Sequence, residues 1–179
     1  MKAPNVDWQN ICSLPVLLLS AVTMAHAADP VSINVTGNIV ASTCEVASDS
    51  ITKTIALDGG KGIQAKDLAA AGAASEWVAF DINLENCPAG TTSAKITFSG
   101  TPDETNPDDM YTNTGTAQNA AVQLQGTGGE KFGNGKSYNY SPIQNNAVVF
   151  HLHSRIYTQN GGVTPGTVSA VVTADMTYQ

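Results

Sequence analysis

Few residues of this sequence could carry catalytic or metal-binding chemistry, and a pair of histidines comes first. His151 and His153 flank Leu152 in an alternating run, which predicts a β-strand with both imidazoles on one face. Such a pair could bind a metal ion, but the sequence shows no third ligand to complete the site. We therefore expect two polar side chains on the outer face of a sheet.

Carboxylates cluster in a second place. Four of them fall within seven residues: Asp103, Glu104, Asp108 and Asp109. The spacing is not that of a calcium-binding EF-hand loop, and residues 101–119 are rich in Asp, Asn, Thr and Gly, so a solvated surface loop is expected. The chain also lacks a nucleophile elbow, a phosphate-binding loop, a dinucleotide fingerprint and an HExxH motif. These observations predict no catalytic residue, no metal site and no cofactor, and hence a protein that is not an enzyme.

The cysteines must be considered together with the start of the chain. The stretch "ICSLPVLLLSAVTMAHA" is apolar and ends in Ala-His-Ala, a pattern that signal peptidase recognises. It predicts a signal peptide over residues 1–27, with a retained membrane anchor as the alternative. Cleavage would remove Cys12 and leave Cys44 and Cys87. An even number in an exported chain favours a disulfide; a metal-binding pair or free thiols are the alternatives.

Composition narrows the class of protein further. The net charge is −7 and the charges are scattered without a basic stripe, so nucleic acid is not an expected partner. Charged residues make up 13% and aromatic residues 6% of the chain, while Gly, Ala, Thr, Ser, Val and Asn are abundant. This composition is typical of an exported β-protein.

Alternating segments separated by turn signals predict most of the elements. The clearest strands cover residues 77–87, 93–100, 120–125, 146–158 and 166–179, shorter extended pieces cover 43–48 and 51–57, and residues 64–74 have some helical propensity. Trp77, at the start of the first of these strands, is expected in the core. Many short strands with frequent turns predict one domain with an antiparallel β-sandwich fold.

The two ends of the exported chain carry the most distinctive patterns. The stretch "ADPVSINVTGNIVAS", residues 28–42, alternates like a strand but has a glycine on its apolar side, so that this side consists of Val31, Ile33, Val35, Gly37 and Ile39. The final strand begins at Gly166, fourteenth from the end, and has a penultimate tyrosine. One face of it presents Val168, Ala170, Val172, Ala174, Met176 and Tyr178.

This combination resembles the subunits of chaperone-usher pili, and most closely the minor tip-adaptor subunits of type 1 fimbriae. The matching stretches are "VTGNIVASTCEV", "AGAASEWVAFDINLENCPAGT", "GTAQN" and "NGGVTPGTVSAVVTADMTYQ". Residues 101–112 and the stretch "GGEKFGNGKSYNYSP" are less similar to the family.

The resemblance implies an all-β fold, an incomplete immunoglobulin-like antiparallel β-sandwich that lacks its final strand and is completed by a donor strand from a partner. Residues 1–27 would be the cleaved signal peptide, 28–40 the N-terminal donor-strand extension and 41–179 the pilin domain. The donor strand would insert Val31, Ile33, Val35, Gly37 and Ile39 into a neighbouring subunit. The acceptor groove and chaperone-binding strand would comprise Gly166, Val168, Ala170, Val172, Ala174, Met176, Tyr178 and Gln179. Cys44 and Cys87 would join the first strand to a neighbouring one.

The resemblance also implies partners and a location. The partners would be a periplasmic pilus chaperone, which would grip the terminal carboxylate of Gln179, an outer-membrane usher and neighbouring pilus subunits. The protein would be exported through the periplasm to a fimbrium on the bacterial cell surface, and as a tip adaptor it would link an adhesin to the shaft. Two alternatives stay open: a major shaft pilin, and a secreted carbohydrate-binding sandwich, which would need an exposed aromatic platform.

Overall fold

The computed structural model describes residues 34–40 and 42–179, and the chain divides into two units at Gly37. In the first unit, residues 34–37 are described and all are solvent-exposed. The predicted signal peptide, Val31 and Ile33 lie outside the described residues. Within the described ranges, no helix is long and apolar enough to cross a membrane.

The second unit, residues 38–179, is built from short strands. In chain order they are β1 (Glu45–Val46), β2 (Val78–Glu85), β3 (Ser93–Gly100), β4 (Met110–Thr112), β5 (Ala121–Gly126), β6 (Ser137–Pro142), β7 (Val148–Tyr157) and β8 (Val172–Tyr178). A one-turn helix, α1, covers Ser48–Ile51, and a 3-10 helix covers Ala65–Leu68. One short helix or a loop was expected over 64–74; the structure has the 3-10 helix there, followed by a turn in which Gly72 has a φ of +78°.

The strands form two antiparallel sheets. The first has the order β1-β2-β7-β5-β4, and the second has the order β6-β3-β8. Pairing is regular between β2 and β7, where Phe80 lies opposite Leu152, and between β3 and β8, where Ile96 lies opposite Met176. The register between β3 and β6 shifts between Ala94 and Ile96. The prediction of an antiparallel β-sandwich is confirmed.

The core lies between the sheets because one side of each strand alternation is apolar. Ile96 and Phe98 of β3 and Phe150 and Leu152 of β7 are fully buried. Aromatic rings extend this layer: the Phe98 and Phe132 centroids are 5.0 Å apart, and the Tyr138 ring meets Phe150 edge-on at 5.4 Å.

Trp77 is not part of this core, and that expectation was wrong. Its indole stacks on His153 with ring centroids 3.8 Å apart, and the Arg155 guanidinium lies 4.1 Å from the indole centroid. Both partners are on the face of β7 opposite buried Phe150 and Leu152. The alternation along β2 sends Phe80 and Ile82 inward, so Trp77 shares the outer face with exposed Asp81.

Two further expectations need correction. The region 101–119 is not simply a solvated loop, since it contains β4, and Asp109, Met110 and Tyr111 are buried. The last strand does not begin at Gly166 but at Val172, because residues 164–169 hydrogen-bond to residues 113–118 instead of to β3.

Candidate functional site

The described part of the sandwich has an open groove of about 1100 Å³ that exposes its core. We call it the acceptor groove. One wall is the C-terminal segment from Pro165 to Met176, and the other comprises residues 50–58. Its floor includes Phe80, Phe98, Leu124 and Ile156.

Within residues 34–40 and 42–179, β8 pairs only with β3, so the edge of the first wall that faces the groove is free of any described strand. Ser93 and Gln179 exchange both main-chain hydrogen bonds, with N···O distances of 3.2 and 3.0 Å. In an antiparallel ladder such pairs alternate with non-bonded pairs, so Thr177, Asp175 and Thr173 continue the bonding to β3. The residues between them therefore direct their N–H and C=O groups away from β3, toward the groove: Val172, Ala174, Met176 and Tyr178.

The free edge continues beyond the end of the β3 ladder. The Ser169 carbonyl accepts from the Thr114 N–H at 2.8 Å, and the Thr167 carbonyl accepts from the Ala117 N–H at 3.0 Å. Because Thr167 and Ser169 bond away from the groove, the intervening Val168 directs its main chain toward it. Val168 and Ala170 are half-buried and line the groove together with Gly166.

The second wall has the burial pattern of a strand but makes no ladder within the described part of the chain. Lys53, Ile55 and Leu57 are half-buried, whereas Thr54 and Ala56 are exposed. The Lys53 ammonium donates to the Asp81 carbonyl at 2.7 Å, which ties this wall to β2. The alternating stretch "ITKTIAL" predicted an extended segment here, but its residues were not predicted to belong to the site.

Upstream, the wall is held by β1 and a disulfide. Cys44 and Cys87 are bonded, both are buried, and they join the residue before β1 to the chain just after β2. β1 itself makes only two residue pairs, Glu45 with Glu85 and Val46 with Leu84. The Ala47 N–H adds a hydrogen bond to the Asn83 carbonyl at 3.0 Å.

The groove leaves much apolar surface in water. Ile51 and Val171, which line it, are 70% and 79% exposed. Val172, Ala174 and Met176 pack against the main core on one side but stay half-exposed on the other. Unpaired strand edges beside exposed apolar side chains form a surface that another strand can cover.

The predicted site residues fall into three groups. Val168, Ala170, Val172, Ala174 and Met176 come together along the groove, and Tyr178 follows on the same strand edge, where burial raises the pKa of its phenol. The main-chain oxygen of Gln179 accepts hydrogen bonds from the Thr92 and Ser93 amides, the first at 2.6 Å. Of the donor-strand residues, Val35 and Ile39 are 88% and 100% exposed, and a Cβ on Gly37 would meet no described atom within 4 Å.

The polar side chains singled out from the sequence lie away from the groove. His151 Nδ1 is 2.7 Å from an Asp81 carboxylate oxygen on the outer face of the first sheet. The buried Asp109 carboxylate accepts hydrogen bonds from the Gln123 and Gln125 amides. Among the described residues, no three His, Cys, Asp or Glu side chains are close enough to hold a metal ion.

Comparisons with known proteins identify the family of the chain. Residues 33–179 match the profile of the fimbrial protein family. The chain belongs to this family. It is 35% identical to protein FimG of Escherichia coli K12 over 164 residues, which cover 91% of this chain and 92% of FimG. It is also 34% identical to the S-fimbrial adhesin protein SfaS of an Escherichia coli O6 strain, with 90% of this chain and 93% of SfaS covered.

Solved structures show the same architecture. The P pilus rod subunit PapA superposes with a TM-score of 0.65 at 24% identity, covering 77% of this chain and all of PapA. A subunit of a chaperone-usher pilus gives 0.64 at 23% identity, with coverage of 89% and 100%. The predicted family and the incomplete immunoglobulin-like sandwich are thereby confirmed. The protein is a structural subunit of fimbriae on the bacterial cell surface, and such subunits polymerise with their neighbours.

Proposed function

We propose that this fimbrial subunit polymerises by donor-strand exchange. Its acceptor groove takes an extended strand from a neighbouring subunit, and its own residues 28–40 supply the strand for the next one. The observation that carries this proposal is an apolar groove about 1100 Å³ in volume, bordered by a free strand edge that runs from Val168 to Tyr178. An added strand would form ladder hydrogen bonds along this edge and insert alternate side chains between the sheets.

The donor segment has the complementary pattern. Its apolar side offers four aliphatic residues, Val31, Ile33, Val35 and Ile39. Their complete burial would contribute on the order of 6–12 kcal/mol before the cost of ordering the strand. Gly37 interrupts this side, and we infer that it faces a shallow part of the neighbouring groove. Ile39 belongs to the second unit and is fully exposed, which supports a role for its side chain outside the subunit's own core.

Before assembly, the exposed apolar surface of the groove would promote aggregation unless another molecule covers it. We propose that a periplasmic chaperone occupies the acceptor groove during export and that an outer-membrane usher hosts the exchange. The chaperone would bind the same edge of β8 and the chain end at Gln179. In the subunit alone, the Thr92 and Ser93 N–H groups donate hydrogen bonds to the main-chain oxygen of Gln179.

We further propose that the subunit is a tip adaptor linking an adhesin to the shaft and so supports cell adhesion. The stretches that match the adaptor subunits of type 1 fimbriae support this role. The chain is 35% identical to FimG, which is a tip adaptor of type 1 fimbriae, and 29% identical to a type-1 fimbrial protein A chain. The higher identity to FimG supports a tip adaptor over a shaft pilin. The carbohydrate-binding alternative has less support, because the Trp77 indole is already engaged by His153 and Arg155.

Peptide complementation tests the central proposal. The chain from residue 38 onward would be refolded with a synthetic peptide of residues 28–42, and its melting temperature and oligomeric state would be measured. We expect the chain alone to self-associate and the peptide to yield a monomeric complex that melts at least 10 °C higher, given the apolar burial above.

Two peptides serve as controls. One exchanges the apolar and polar positions without changing the composition, and the other carries Gly37→Leu; both should stabilise the chain much less. A chain that is monomeric by itself and melts at the same temperature with all three peptides would contradict donor-strand exchange.

A further inference from the structure

The first wall of the acceptor groove begins in a segment whose main chain is held by side-chain hydrogen bonds, in addition to the main-chain bonds of a strand. We call this arrangement the clasp, and it comprises residues 113–118 and 164–169. These segments are about fifty residues apart in the chain. They contain parts of two stretches that match the fimbrial family, "GTAQN" and "NGGVTPGTVSA". The fold places these two stretches side by side.

At the centre of the clasp, two threonines hold each other's main chain. The Thr116 N–H donates to Thr167 Oγ1 at 3.0 Å, and the Thr167 N–H donates to Thr116 Oγ1 at 2.9 Å. Asn113 Oδ1 accepts the Ser169 N–H at 2.8 Å, and its Nδ2 donates to the Ala117 carbonyl at 2.8 Å. Most of these groups are exposed, so the bonds order the backbone and do not fill the core.

Close approach of the two backbones requires glycine on both sides. A Cβ added to Gly115 would lie 2.1 Å from the Thr167 carbonyl oxygen, and one added to Gly166 would lie 2.5 Å from the Ala117 nitrogen. Contacts this short with backbone atoms could not be relieved by a side-chain rotation. The close contact therefore explains why residue 166, the fourteenth from the end, is a glycine: only a residue without a side chain lets the C-terminal segment pack against Ala117.

The clasp lies where support from β3 has ended. The β3–β8 pairing begins at Val172, opposite Gly100, so residues 165–170 receive no support from that ladder. Main-chain bonds from Thr114 and Ala117 support them instead. As a result Val168 points into a second apolar cluster with Ala117, Ile156 and Val163, at one end of the acceptor groove.

We infer that the clasp is a positioning element for donor-strand binding. This inference rests on the proposed function and deepens it. The clasp holds Val168 and Ala170 in extended geometry, which lengthens the free edge beyond β8 and shapes the end of the groove around Val168. Its occupant is the terminal part of a donor strand of alternating aliphatic residues, such as residues 28–40 of a second copy. Thr116 and Thr167 therefore act by positioning the main chain that the partner strand binds, which sets how long the end of that strand stays bound.

The test measures dissociation of a fluorescent peptide of residues 28–42 from the refolded chain, chased with unlabelled peptide. The variant Thr116→Val/Thr167→Val keeps the side-chain shape but removes both hydroxyl acceptors, and should release the peptide on the order of tenfold faster. Thr116→Ser/Thr167→Ser keeps the acceptors and should retain the wild-type rate. Thr127→Val, at an exposed threonine in the turn after β5 that does not line the groove, is the matched control and should have no effect.

Shortened peptides separate positioning from general destabilisation. Peptides lacking three residues at one end or the other would be compared, and one of the two truncations should abolish the difference between the valine variant and the wild type. An unchanged release rate in the valine variant, or equal acceleration with both truncations, overturns the clasp and leaves donor-strand exchange standing. Failure of the wild-type chain to bind the full peptide overturns donor-strand exchange and this inference with it. If the double variant does not refold, the single variant Thr116→Val decides by the same criteria.

Discussion

Removing the Cys44–Cys87 disulfide is a direct test of how the second wall of the acceptor groove is held. The wall begins just after β1, which has only two residue pairs with β2. We therefore expect Cys44→Ala/Cys87→Ala to weaken the fold as a whole and the binding of a donor peptide in particular.

The expected magnitude follows from the length of chain that the disulfide closes. The cysteines are 43 residues apart, for which the loop-entropy model gives about 4 kcal/mol of stabilisation at 25 °C. Alanine loses little buried volume relative to cysteine, so this term should dominate. For a domain of this size, 4 kcal/mol corresponds to a fall in melting temperature of about 8–16 °C.

The assay is urea unfolding of the chain complexed with the peptide of residues 28–42, so that self-association does not distort the transition. The same measurement on reduced wild-type protein is the control, and it should agree with the double-alanine variant. Peptide dissociation should also accelerate, because the wall from Lys53 to Leu57 loses its upstream anchor. A double variant whose free energy of unfolding stays within about 1 kcal/mol of the wild type would refute this reasoning, since β1 and the Lys53 contact would then suffice.

Two other perturbations test the core and the outer face. Tyr111 is fully buried, its hydroxyl donates to the Phe132 carbonyl at 2.9 Å, and burial raises its pKa to about 12. Tyr111→Phe should cost about 1–3 kcal/mol in urea unfolding, and the half-exposed Tyr138→Phe should cost less; equal costs would contradict a role for the hydroxyl. Burial, with the nearby Arg155 guanidinium, lowers the pKa of His153 below 6.5, although Glu130 opposes this. Since the unfolded chain then binds the proton first, stability should fall as the pH drops below 6.5, and His153→Gln should reduce that slope.

Local pattern was sufficient where a strand has one apolar face. The alternations in residues 93–100 and 146–158 predicted β3 and β7, and in β7 they predicted that His151 and His153 share one face, because alternate side chains of a strand lie on the same side. The even cysteine count favoured the disulfide that the structure contains. The patterns at the two termini were enough to indicate the fimbrial family and to propose Val168 to Tyr178 as an acceptor edge.

Long-range contacts decided what local pattern left open. Alternation separates the two faces of a strand but does not say which neighbours cover an aromatic residue at its end, so Trp77 was expected inside although His153 and Arg155 hold it on the outer face. Likewise, only the fold shows that residues 164–169 leave β3 for the clasp, since Thr116 and Thr167 are fifty-one residues apart. The sequence by itself determined the long central strands and the family. Which strand edges stay free to accept a partner depends on pairings between distant segments, and the tertiary structure alone decided those.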